Sequence, residues 1–155
     1  MRRIKRFGLL VAVSFCLFGL LSGMTVMKAE AGDYIGDYCW NFTSSTGTLG
    51  IIKLGISHLG GGHYLCSGIN SITHPVSVQF PTHGNVEFIG NKIIITLSFQ
   101  EKNYGSPGED TLGIGMLTIT LDPQTLNGTF ESISVYYSDD KGITSGTVTY
   151  SSTCQ

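Results

Sequence analysis

His58 and His63 flank the run Gly60-Gly61-Gly62. A tight turn centred on Gly60-Gly61 sets residue 58 opposite residue 63 across a hairpin, with Cβ atoms about 5 Å apart. Two imidazoles at that separation suit two ligands of a Zn²⁺ or Cu²⁺ site, or a pair that repels when both protonate at roughly pH 6. Two ligands do not complete a site. Asp37 or His83 would have to be brought in by the fold; otherwise the pair is a polar contact at a rim.

A second group lies in the run Asn127 to Tyr137. Glu131 shares its phase with Ile133, Val135 and Tyr137, whereas Phe130, Ser132, Ser134 and Tyr136 share the other. If the first face points inward, desolvation raises the carboxyl pKa and marks a site. If the second does, Glu131 is solvated and hydroxyls and rings line a cavity, as in many small-molecule pockets. The candidate ligand-binding residues are therefore Glu131, Ser132, Ser134 and Tyr136, with both orientations open.

Motifs with a catalytic mechanism are absent: no nucleophile elbow, Walker loop, H-E-x-x-H, C-x-x-C or calcium loop occurs. The three glycines are not a phosphate cradle, since no helix follows to aim its N–H groups. A non-catalytic role without a cofactor is expected.

The chain has 155 residues, 41% of them hydrophobic and only 13% charged, which suits one ordered domain. Charge is concentrated at the start, with Arg2, Arg3, Lys5, Arg6 and Lys28 bracketing an uncharged stretch from Phe7 to Met27. A basic region, an apolar region and then Ala29-Glu30-Ala31 predict a secretory signal peptide over 1–31 and a secreted or periplasmic domain over 32–155. The apolar stretch approaches the ~20 residues that span a bilayer, so an uncleaved anchor is the alternative. After cleavage no membrane span remains. Residues 32–155 hold Lys53, Lys92, Lys102 and Lys141, no arginine and ten acids, a net charge of 4 − 10 = −6. An acidic surface without arginine has no bidentate phosphate reader, which excludes nucleic acid as a partner.

Export leaves Cys39, Cys66 and Cys154 where disulfides persist. In a closed meander the start of the first strand lies beside the end of the last. Cys39 and Cys154 are the expected bridge and Cys66 the leftover thiol.

The elements that must position these residues read as strands. Tyr38, Trp40 and Phe42 alternate with polar residues, as do Ile52, Leu54 and Ile56. Val76 to Phe80 is a short strand closed by Pro81, and Val86 to Ile89 another, joined through Gly90-Asn91 to the clearest run, Ile93 to Phe99. Leu112, Ile114 and Met116 set one phase and Leu117, Ile119 and Leu121 the opposite one, as a β-bulge would. Gly146, Val148 and Tyr150 close the last strand. The whole is an all-β, antiparallel up-and-down β-barrel of about eight or nine strands, with a β-sandwich as alternative. The expected core is Trp40, Phe42, Ile52, Leu54, Ile56, Val76, Val78, Phe88, Ile93, Ile95, Leu97, Phe99, Val148 and Tyr150.

The first strand's glycine followed by tryptophan, Gly36-Asp37-Tyr38-Cys39-Trp40, resembles the calycin group of small secreted barrels, the lipocalins and avidins. That resemblance implies a barrel with a possible ligand cavity. The expected function is binding of a small apolar ligand, marked by an opening of about 300 Å³ at one end. The alternative is a structural or protein-interaction barrel with a filled interior.

Overall fold

Side-chain alternation with a period of two runs through each long segment of the computed structural model, and it builds eight antiparallel strands closed into a barrel. The structure describes residues 32–153 except 76, 105–109 and 137–140, and no side chain over 101–112. The strands are β1 (Asp33–Ser44), β2 (Leu49–Gly60), β3 (His63–His74), β4 (Val78–Ile89), β5 (Lys92–Tyr104), β6 (Asp110–Leu121), β7 (Gly128–Tyr136) and β8 (Lys141–Ser151). Each pairs with the next in sequence, and β8 returns to β1 through Trp40↔Tyr150 and Phe42↔Val148. Closure leaves no sheet edge to protect. The expected signal peptide, Val76 and Cys154 lie outside the described residues.

The inward face carries the apolar residues. Trp40, Ile52, Leu54, Ile95, Leu97, Ile119, Leu121 and Val148 are almost wholly buried. They fill the half of the barrel where the hairpins β2–β3 and β4–β5 and the 122–127 loop lie. Over that end the loop is clamped: Trp40 Nε1 donates to Leu126 O at 2.9 Å, and Leu126 N donates to Asp122 O at 2.8 Å. Leu126 is held at φ 57°, a left-handed conformation unusual for a branched side chain.

Three sequence expectations are corrected. The eight strands agree with the expected eight or nine, but the runs ending and starting near Pro81 are one strand, β4. Pro81 lies one residue before the β4–β5 ladder begins at Thr82↔Phe99, so the strand passes through it without an interior bond to β5 being lost. β6 has no bulge; its pairings to β5 and β7 run without a register shift. Gly113 and Gly115 hold the inward positions there, because Cβ atoms would run into the Tyr136 and Phe99 rings, and Ile114 and Met116 face out. Phe88 belongs to the inward phase of Val86 but is 59% exposed, since it stands at the strand end with its ring against Tyr64. Phe80, Phe130, Leu117, Ile119 and Leu121 join the core in its stead.

Candidate functional site

β1 runs from the filled end toward the other, where the β1–β2 loop and the first residues of β4 and β8 meet. There the interior is not filled. A cavity of about 180 Å³ opens between strands, with Phe42, Phe80, Phe99 and Phe130 as its rings and Ser132, Ser134 and Tyr136 along one side. The β7 ambiguity is thereby resolved: the face of Phe130, Ser132, Ser134 and Tyr136 points inward. Glu131 faces out, on a groove of the outer wall beside Ile133 and Val135. Three of the four expected ligand-binding residues come together; the carboxylate does not join them.

The cavity is smaller than the expected opening of about 300 Å³. By volume alone it favours the filled interior. Its chemistry points the other way. Asn70, on the inward face of β3 and only 7% exposed, lines the cavity, and its Oδ1 makes no hydrogen bond. Among the described residues it is the one buried side-chain polar atom left so. A buried acceptor without a partner costs about 1–3 kcal/mol, so native structures rarely keep one.

The buried hydroxyls of Ser44 and Thr82 have partners. Ser44 Oγ accepts from Thr48 N at 2.9 Å and Thr46 N at 3.2 Å, which builds the β1–β2 turn. Thr82 Oγ1 donates to Ser98 O at 3.1 Å. No strand through Asn70 is expected from the sequence. The signal was present: in a strand extended to His74, Asn70 is a polar residue on the phase of Tyr64, Cys66 and Ile72.

The histidine pair does not form. The turn is Gly61-Gly62, with Gly60 opposite His63, and a register shift before it sets His58 opposite Tyr64. His58 packs its ring on Tyr64 at a centroid distance of 4.8 Å, whereas His63 is exposed. Asp37 accepts from Tyr34 Oη at 2.7 Å, a bond that raises the phenol pKa. His83 lies on the outer wall beside Ser98. No group of three potential metal ligands occurs among the described residues.

Cys66 is a free, buried thiol whose pKa burial pushes up to about 11. Cys39 is not free; it lies buried opposite Ser151 across the β1–β8 closure.

No family model, no curated protein and no solved structure matches the chain.

Proposed function

We propose that this chain is an exported, non-catalytic barrel that holds one small molecule at its open end. The carrying observation is Asn70: a residue that lines the cavity and whose buried Oδ1 has no partner. The volume sets the scale. An apolar cavity of roughly 150 Å³ accepts benzene, so about 180 Å³ suits a ligand of one ring. This is narrower than a general apolar ligand. Ser132, Ser134 and Tyr136 line the site, and the closed meander is compatible with the calycin resemblance and the cavity it implies. Export rests on the Ala29-Glu30-Ala31 signature. The interior is apolar, whereas that of a membrane-spanning barrel is polar. A Cys39–Cys154 bridge, supported by the Cys39↔Ser151 register, would seal the closure near the filled end.

Native mass spectrometry of the protein purified from its own source tests this reading. A bound species of one-ring mass is expected. A homogeneous bare chain, unaltered when ligands are offered, would overturn it.

One observation favours the alternative, an interaction barrel. On the outer wall, Ile114, Met116, Ile133, Val135 and Ile143 are all exposed and meet through Ile114↔Val135, Met116↔Ile133 and Ile133↔Ile143. Contiguous exposed apolar surface marks contact sites. Under this reading two copies associate through that wall, and sedimentation would show a dimer that Ile133→Ser dissolves.

A further inference from the structure

Resting on the interaction reading of the outer wall, we propose that a second copy docks there about a two-fold axis lying along the row Met116–Ile133–Ile143. Glu131 of each protomer then pairs with Lys141 of its partner.

The register builds the surface. Met116↔Ile133 and Ile133↔Ile143 set three side chains in one transverse row on the outside of β6, β7 and β8. They are 56%, 53% and 77% exposed. The outward row on one side of it is Ile114, Val135 and Lys141, and on the other side Thr118, Glu131 and Ser145. Apolar side chains hold the centre, and each flank carries one charge, of opposite sign. Glu131 and Lys141 stand about 14 Å apart along the strands, four residues at about 3.4 Å each, and do not pair within one chain.

Two identical surfaces that meet about a two-fold axis must be complementary to themselves. An axis along the row turns each flank over onto the other. Ile133 and Ile143 then meet their own copies, and the glutamate of one protomer comes over the lysine side of its partner. An axis along the strands would leave each flank facing itself, glutamate toward glutamate and lysine toward lysine, which like-charge repulsion opposes. The charges choose the orientation while the apolar row supplies the contact.

A second copy is the occupant this surface fits, because both signs sit at the positions that a two-fold exchange interconverts. The net charge of −6 on residues 32–155 otherwise opposes self-association, so local pairing of opposite signs is what permits approach. Five apolar side chains a side are fewer than the roughly 20–30 residues of a standard interface. The dimer is therefore weak and forms and parts with concentration.

Sedimentation equilibrium over a concentration series tests the pairing, with the purified chain, Glu131→Lys, Lys141→Glu, and the two variants mixed in equal amounts. The native chain should dimerise reversibly. Each single reversal should weaken association at least about tenfold, since two attractions become two repulsions. The mixture should recover the native association, because the all-basic flanks of one variant meet the all-acidic flanks of the other. Glu131→Lys brings the net charge of residues 32–155 from −6 to −4, which by itself favours association, so its weakening would come from the local contact. Both side chains are exposed, and the folded state of each variant is checked by circular dichroism. A native dimer that neither reversal weakens, or variants that the mixture does not rescue, overturn the pairing and leave the interaction reading standing. A native chain that stays monomeric throughout the series overturns that reading and the pairing with it.

Discussion

Trp40 and Leu126 stand 86 residues apart in sequence and are joined by a 2.9 Å hydrogen bond from the indole N–H to the backbone carbonyl. The bond fixes which end of the barrel is shut. Trp40 is 1% exposed, stacks with Tyr38 at 6.1 Å and meets Tyr150 edge-on at 6.3 Å. The left-handed Leu126 is the point at which the β6–β7 loop folds over it.

Trp40→Phe should therefore do more than shrink a core ring. It leaves the Leu126 carbonyl without its donor and opens a void, for a combined loss of roughly 3–5 kcal/mol. Urea denaturation reads the loss. A change below about 1 kcal/mol would mean that the loop is held by other contacts.

Alternation assigns both Leu97 and Phe88 to the core, and the structure separates them. Leu97 is fully buried, so Leu97→Ala should cost about 2–5 kcal/mol. Phe88→Ala should cost less than about 1 kcal/mol, because its ring already meets water. Comparable losses at both sites would place Phe88 inside.

Asp122 supplies a pH signature. Its Oδ1 accepts from the Thr125 and Gln124 amides, and these bonds, Thr125 first, hold its carboxyl below the ordinary range. A folded pKa below the unfolded one gives stability above the unfolded pKa and loses it as pH falls through the folded value. The native chain should accordingly exceed Asp122→Ala in urea midpoint at pH 7, and the gap should narrow toward pH 2. A gap independent of pH would contradict the assignment.

Cys66 should resist alkylation by iodoacetamide at pH 8 while folded and react on unfolding, since its pKa of about 11 leaves little thiolate. Non-reducing peptide maps should pair Cys39 with Cys154, a link worth about 2–4 kcal/mol. A Cys39–Cys66 peptide would refute that pairing.

The phases of β1, β2 and β5 were legible in the sequence because large apolar residues alternate there with polar ones and nothing interrupts them. The meander and its closure followed. What misled was local chemistry overridden by the barrel. Three consecutive glycines can each take positive φ, so composition does not choose which pair turns, and His58 met Tyr64 instead of His63. Pro81 read as a strand end because it lacks an N–H, yet the β4–β5 ladder starts just after it. In β6 the exposed Ile114 and Met116 imitated a core phase while Gly113 and Gly115 yielded the true one to neighbouring rings. At the site, Ser132, Ser134 and Tyr136 were found as one of two alternatives. Asn70 was not, because the polar and small residues around it, Ser67 to Ser71, interrupt the apolar alternation of β3.

Urea denaturation of Asn70→Leu against the native chain, both refolded free of ligand, tests the central claim most directly. If Asn70 is kept for a ligand, replacing a buried, unpartnered amide by an apolar side chain of like size removes a penalty. The variant's midpoint should rise, by the equivalent of roughly 1–2 kcal/mol. A midpoint lower than that of the native chain would show that Asn70 stabilises the empty fold, and would contradict the account.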